Sequence, residues 1–167
     1  MNIGAIRILG VDPGLRNTGW GLIHSEGSRL GYIACGSIRT ETSLALPDRL
    51  ALIHRALTAI IEDAQPEEGA VEETFVNRDP QSALKLGQAR GVALAALALG
   101  GLKVAEYSAN LIKKTVVGVG HAEKDQVAMM IKILLPSSEA RTPDAADALA
   151  VAICHAQHRV ARARGAA

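Results

Sequence analysis

Several features that mark particular protein classes are scarce in this chain of 167 residues. The two cysteines, Cys35 and Cys154, lie far apart without a Cys-x-x-Cys spacing, so neither a disulfide framework nor a thiolate metal site is indicated. The longest uncharged apolar stretch, Gly91 to Leu102, is too short to cross a bilayer. The N-terminal residues lack the pattern of a secretory signal, and we expect a cytoplasmic protein.

Aromatic residues and net charge are also low. The chain has one Trp, two Tyr and one Phe, so aliphatic side chains must fill its core. A formal net charge of +1 neither requires nor excludes a polyanionic partner. Apolar residues make up 49% of the chain, which is typical of a globular protein. Without repeats or linkers, residues 1–167 are predicted to form one domain, with 159–167 as a flexible tail.

Hydrophobic periodicity predicts five strands and five helices. The strands are predicted at residues 6–12, 18–24, 30–39, 69–76 and 103–108, and the helices at residues 48–64, 82–99, 109–116, 121–134 and 143–162. The hairpin-like segment Ser25 to Ser28 indicates an antiparallel start, whereas the later alternation of helix and strand indicates parallel strands. We therefore predict an α/β fold with a mixed five-stranded sheet flanked by helices, whose ligands bind at the carboxyl ends of the strands.

Acidic residues interrupt two of the predicted strands. Asp12 ends the first strand directly before Pro13-Gly14, where a simple turn would explain it. Glu72 and Glu73 lie within the fourth strand, and the period of two places them on opposite faces. Alternation alone does not decide which of the two faces a ligand and which faces solvent.

Two more acids begin the last predicted helix. Asp144 and Asp147 are three residues apart and share one side of its first turns, where they would also complement the helix dipole. Clustered carboxylates with no His or Cys among them suit a hard cation such as Mg²⁺ or Mn²⁺. Two such ions about 4 Å apart are used by enzymes that hydrolyse phosphodiesters, and that is the reaction this set of acids predicts.

One helix carries a stripe of small residues at every fourth position: Ala83, Gly87, Gly91 and Ala95. A helix-interior glycine costs about 0.5–1 kcal/mol relative to alanine, so a close approach of backbone is a plausible compensation. The pattern leaves two interpretations open, packing against the domain's own sheet or a subunit interface.

Four segments, in order, resemble the RuvC-type crossover junction endodeoxyribonucleases, the bacterial Holliday junction resolvases. They are GVDPGLRNTGWG, VEETFVNRDPQSALKLGQARG, KKTVVGVGHAEKDQV and DAADALAVAICH. The resemblance implies a ribonuclease-H-like fold and a homodimer that cuts two symmetric strands of a four-way junction in recombination and DNA repair, leaving 5′-phosphates. It also implies that the protein acts together with a branch-migration complex, which consists of a junction-binding tetramer and a hexameric motor ATPase.

The resemblance also implies roles for individual residues. Its four catalytic, metal-binding acids match Asp12, Glu72, Asp144 and Asp147, which selects Glu72 over Glu73. These acids would hold Mg²⁺, for which Mn²⁺ can substitute, with two ions per subunit in the DNA complex. The DNA-binding positions match Phe75, Lys113, Lys114 and Lys124, and the small-residue stripe falls in the dimer-forming region. His155 has no implied role as a ligand and is interpreted as structural.

The sequence leaves other functions open. A related nuclease with the same fold could act on RNA–DNA hybrids or on other branched DNA. An actin-like or sugar-kinase-like nucleotide-binding domain also begins with an Asp followed by a Gly-rich turn, but it needs a second phosphate loop, which the later sequence lacks. A junction-binding module without catalysis is disfavoured because all four acids are present.

Overall fold

The computed structural model describes residues 4–73 and 79–165. Its strands are β1 (Ile6–Asp12), β2 (Asn17–Glu26), β3 (Arg29–Arg39), β4 (Glu68–Glu73) and β5 (Lys103–Ser108). Its helices are α1 (Leu46–Ala64), α2 (Pro80–Leu99), α3 (Ala109–Val117), α4 (Lys124–Leu134) and α5 (Pro143–Gly165). Each predicted element is present over the described residues.

The five strands form one sheet in the order β3-β2-β1-β4-β5. The pairs β1–β2 and β2–β3 are antiparallel, while β1–β4 and β4–β5 are parallel. The predicted mixed sheet is therefore confirmed. Because β1 and β4 run in parallel with Val11 beside Val71, Asp12 and Glu72 end up at the same edge of the sheet.

Alternation along the strands divides the core into two layers. Leu9 and Val11 of β1 and Val71 of β4 pack with α1 and α2. Ile8 and Ala70 point to the opposite face and pack with α3, α4 and α5. By the period of two, Asp12 and Glu72 project from this second face, whereas Glu73 projects from the first. The layers in which Ala70 and Val71 are buried therefore show that Glu72, and not Glu73, lies on the same face of the sheet as Asp12.

Glycines on β1 and β2 allow the backbone of α5 to lie directly on the sheet. A Cβ at Gly10 would stand 2.3 Å from the carbonyl oxygen of Ala148, and one at Gly19 would stand 2.0 Å from the carbonyl oxygen of Asp144. Both obstacles are backbone atoms, which cannot move aside as a flexible side chain could. These glycines therefore allow the first turns of α5, which carry Asp144 and Asp147, to lie close to the end of β1.

A buried polar network fixes the far end of α5 to β4 and β5. The ring of His155 receives a hydrogen bond from the Tyr107 hydroxyl at Nδ1 (2.9 Å) and donates one from Nε2 to Glu68 (2.7 Å). The guanidinium of Arg159 also binds Glu68, with contacts of 2.6 and 2.9 Å, and this pairing lowers the pKa of Glu68. His155 therefore has the structural role that the sequence interpretation gives it. Arg159, the first residue of the predicted flexible tail, lies in α5.

Among the boundaries that the described residues test, two differ from the prediction by three residues and the others by two or fewer. Helix α4 begins at Lys124 and not at His121, because the backbone N–H of Glu123 donates to the side chain of Gln126 (2.9 Å) and closes the first turn there. Helix α5 continues to Gly165 instead of ending at Arg162. Within the ranges that the structure describes, no helix is both long and apolar enough to span a membrane.

The small-residue stripe of α2 faces away from the sheet. The helix buries Ala89, Ala93, Ala96 and Leu97 against the core. Gly87, Gly91 and Ala95 are exposed, and a Cβ at either glycine would meet nothing within 4 Å. The interpretation of the stripe as packing against the domain's own sheet is therefore wrong.

Candidate functional site

Three of the four predicted acids line one cavity at the carboxyl end of β1. Asp12 closes β1, Glu72 lies on β4, and Asp147 comes from the first half of α5. The cavity has a volume of about 250 Å³. Its lining also includes Ala109, Ile112, Lys113, Lys124, Val127 and Ala150, which belong to α3, α4 and α5. Asp144 stands one helical turn before Asp147 and is half-buried.

Local sequence explains why α5 presents its acids here. The hydroxyl of Thr142 accepts a hydrogen bond from the backbone N–H of Ala145 (3.3 Å), which starts the helix. Asp144 and Asp147 therefore fall in the first two turns, beside Gly19 and Gly10. The close approach that these glycines allow brings the two acids to the end of β1.

The carboxyl groups of this site repel each other in a partly dehydrated place. Burial, followed by the charges of Glu72 and Asp147, raises the pKa of Asp12 to about 8. Burial also raises the pKa of Glu72 and of Asp147, and repulsion by Asp147 adds to the shift of Glu72 while repulsion by Asp144 adds to that of Asp147. A side-chain hydrogen bond between Asp12 and Glu72 adds to the rise in the pKa of Asp12. The site carries more negative charge than its surroundings compensate.

Two lysines on neighbouring helices offset part of that charge. The ammonium of Lys124 lies 3.9 Å from the Asp147 carboxylate, and its side chain is 80% exposed. Lys113 and Lys124 both act against the upward shift of the Glu72 and Asp147 pKa values. Lys114, the next residue of α3, is exposed and does not line the cavity. Two of the three predicted lysines therefore border the acids.

The donor set fits a hard divalent cation. Asp12, Glu72, Asp144 and Asp147 supply only carboxylate oxygens, the ligands that Mg²⁺ and Mn²⁺ prefer. The raised pKa values indicate repulsion that a cation would relieve. In the described parts of the chain, no three His, Cys, Asp or Glu side chains already surround a common point at metal-binding distance. Cation binding would therefore require these side chains to rotate.

Sequence reasoning missed the apolar wall of this cavity. Ile112 and Val127 are buried residues of α3 and α4, and their periodicity is that of ordinary core residues. Nothing in the sequence marks them as neighbours of the acids. Phe75, predicted to bind DNA, lies outside the described residues.

The chain matches the family described as "Crossover junction endodeoxyribonuclease RuvC" over residues 8–155. A protein of that name from Methylocella silvestris is 68% identical over 163 residues, covering 98% of this chain and 93% of the relative. Its counterpart from Rhodopseudomonas palustris is 62% identical over 159 residues, covering 95% and 91%.

Solved structures agree with these sequence matches. The fold superposes on T. thermophilus RuvC in complex with a Holliday junction substrate with a TM-score of 0.85 and 31% identity, covering 92% of this chain and 94% of the other. A yeast mitochondrial Holliday junction resolvase has a TM-score of 0.67 with 13% identity, covering 95% and 83%, and shares the fold alone.

Proposed function

The chain belongs to the family of crossover junction endodeoxyribonucleases called RuvC, and we propose that it resolves Holliday junctions by metal-dependent hydrolysis of phosphodiesters in two symmetric strands, leaving 5′-phosphate ends. The observation that carries the proposal is the cavity at the end of β1, in which carboxylates from β1, β4 and α5 meet two lysines. Membership of the family supports the choice of a four-way junction as substrate.

Asp12, Glu72, Asp144 and Asp147 are the proposed ligands of two Mg²⁺ ions per subunit in the DNA complex, with Mn²⁺ as a substitute. When bound, such ions activate a water molecule for attack on phosphorus and stabilise the charge of the leaving oxygen. The protein itself would position the ligands. Strand β1 and helix α5, which lies directly on the strand glycines, hold the carboxylates close together despite their repulsion.

The two lysines and the apolar wall complete the proposed site. Lys113 and Lys124 would hold the negatively charged phosphate beside the carboxylates, which otherwise repel it. Ile112 and Val127 would exclude bulk water from one side and so strengthen these interactions. Lys114 would contact the DNA backbone farther out, and Phe75 would stack on a base near the crossover.

Cleavage assays on matched substrates test this function. We expect the chain, with Mg²⁺, to nick a mobile four-way junction at symmetric positions and to leave linear duplex and RNA–DNA hybrid intact at the same salt concentration. Equal salt is needed because phosphate contacts make all nucleic-acid binding salt-dependent. Preferential cleavage of the hybrid would instead favour the alternative nuclease function, and nucleotide binding without cleavage would favour the kinase-like alternative.

The outward face of α2 supports a homodimer built on that helix. Leu84 and Leu99 are 64% and 80% exposed and flank Gly87, Gly91 and Ala95 on the same side. A surface of small residues bordered by large apolar ones permits two helices to approach closely. We therefore propose that the twofold axis of the dimer passes beside this face of α2. The dimer would then have two cleavage sites, one for each of the two symmetric DNA strands.

Replacing Gly91 by Arg is expected to convert the dimer to a monomer, because the new side chain would occupy the space for the partner helix. Sedimentation velocity measures the result. Ala59→Arg, at an exposed position on α1, is the matched control and is expected to remain dimeric. A Gly91→Arg protein that sediments like its parent would contradict this placement of the interface.

The same proposal includes a cytoplasmic location and cooperation with a branch-migration complex, composed of a junction-binding tetramer and a hexameric motor ATPase. Such a complex would present the open, four-way form of the junction that symmetric cleavage requires.

A further inference from the structure

A second polar cavity lies at the same edge of the sheet as Asp12, displaced toward β3. It has a volume of about 250 Å³ and is lined by Arg16, Asn17, Arg39, Thr40, Glu41 and Thr42. These residues come from the loop after β1, the start of β2 and the end of β3 with the loop that follows. None of them belongs to the carboxylate site described above.

Hydrogen bonds of Thr40 and Arg49 connect the segments that form the walls of this cavity. Buried Thr40 donates its backbone N–H to the carbonyl of Arg16 (3.0 Å) and its hydroxyl to the carbonyl of Leu15 (2.5 Å). The guanidinium of Arg49 in α1 donates to the Thr40 hydroxyl (2.9 Å) and to the Leu15 carbonyl (3.3 Å). The loop that carries Arg16 is thereby tied to the strand end that carries Arg39, so the backbone positions of these two arginines are fixed beside one cavity.

The cavity is rich in donors and positive in charge. Arg16 and Arg39 are both exposed, and in the described ranges neither has a carboxylate within ion-pair distance. Asn17 and Thr42 add an amide and a hydroxyl, while Glu41 is the single acid in the lining. Two arginines with neutral donors beside them favour a phosphate group, whose oxygens accept paired guanidinium hydrogen bonds.

The register of the sheet gives the distance to the carboxylate site. Asp12 pairs with Gly19, and Asn17, two residues away on β2, pairs with Arg39 on β3. Two residues along a strand and two strand spacings put the Cα atoms of Asp12 and Arg39 about 12 Å apart. Duplex DNA rises about 3.4 Å per nucleotide along its axis, and successive phosphates of one strand lie farther apart than this rise, so the separation spans at most about three nucleotides.

We propose that the cavity formed by Arg16 and Arg39 binds one backbone phosphate of the cleaved DNA strand, within about three nucleotides of the bond that is cut. The inference rests on the proposed nuclease function and adds a specific contact to it. Lys113 and Lys124 border the acids on the side of α3 and α4, so the arginine cavity would hold the same strand on the opposite, β3 side. The DNA strand would then pass over the carboxylate site, held on one side by the two lysines and on the other by the arginine cavity.

Binding measurements in EDTA, where cleavage is not expected, test the charge of this contact. Fluorescence anisotropy would follow the full chain on a labelled four-way junction at several salt concentrations. For Arg16→Gln/Arg39→Gln we expect the slope of log K against log salt to fall by about one, and binding at 0.1 M salt to weaken about tenfold, which is the loss of one phosphate contact.

The matched control is Arg29→Gln/Arg55→Gln, which removes the same charge from two exposed positions. Arg29 lies at the opposite end of β3 from Arg39, and Arg55 lies on the surface of α1. This control is expected to keep the slope of the parent. An equal fall in both double variants, or no fall in the first, would overturn the proposal. Failure of the parent chain itself to bind the junction would instead refute the proposed function.

Neutral phosphates locate the contact on the DNA. Single methylphosphonates are placed one at a time along the cleaved strand, and they should weaken binding by the parent chain at one position within about three nucleotides of the cut. Arg16→Gln/Arg39→Gln should lose its sensitivity at that position alone and keep it at the others. Sensitivity that is unchanged at every position would contradict the assignment, even if overall affinity fell.

Discussion

Replacing Glu72 by Gln is expected to lower the rate of junction cleavage by at least about a thousandfold, the effect of removing about 4 kcal/mol of transition-state stabilisation by a metal site. Glu72 lines the carboxylate cavity beside Asp12, and a neutral amide is a poor ligand for a hard cation. The change keeps the size and shape of the side chain, so the fold should be unaffected. Single-turnover cleavage of a four-way junction with Mg²⁺ measures the effect.

Glu73→Gln is an unusually close control, since it makes the same chemical change at the next residue of β4. Alternation places Glu73 on the α1–α2 face of the sheet, away from the cavity. We expect its cleavage rate to stay within about threefold of the parent, as for a surface substitution that removes no ligand. Equal losses in the two variants would contradict the assignment of faces, and a loss in Glu73→Gln alone would reverse it.

The second large effect is expected for Asp12→Asn, which should lose cleavage by a similar factor while it still binds the junction. Binding should persist because Lys113, Lys124 and the other basic side chains are unchanged. The variant should also be more stable than the parent, by about 1 kcal/mol, because it removes a buried acid whose neighbours repel it. Thermal unfolding and anisotropy on the same preparation separate these three results.

A destabilised Asp12→Asn protein would mean that the carboxyl group supports the turn before Pro13-Gly14, the simpler explanation of this residue. Loss of junction binding together with cleavage would likewise remove the evidence for a role in the chemical step. Asp63→Asn, an acid on the last turn of α1 outside the carboxylate cavity, serves as the control and should change neither cleavage nor binding.

The sequence was sufficient to predict the order of elements and the mixed sheet, because hydrophobic period and turn residues act locally. It could not choose between Glu72 and Glu73 without the family resemblance, since both faces of β4 carry apolar neighbours. The choice follows in the structure from Ala70 and Val71, which pack in different layers of the core. Which layer lies under α5 is a property of the whole fold.

Other features depended on contacts between distant parts of the chain. The stripe on α2 could be assigned to the surface only once Ala89 and Ala93 were seen to fill the inner side of the helix. Arg16 and Arg39 are separated by a complete strand and hairpin, so nothing in their local sequence predicts a shared cavity. Gly10 and Gly19 resemble ordinary strand glycines until α5 is placed against them.

Binding of Mn²⁺ to the full chain, followed by the electron paramagnetic resonance signal of the free ion, tests the metal site most directly. We expect the parent and Glu73→Gln to bind Mn²⁺ alike, and Asp12→Asn and Glu72→Gln to bind it at least about tenfold more weakly, because each has lost a ligand. Equal Mn²⁺ affinity in all four proteins would contradict the claim that these carboxylates hold the metal.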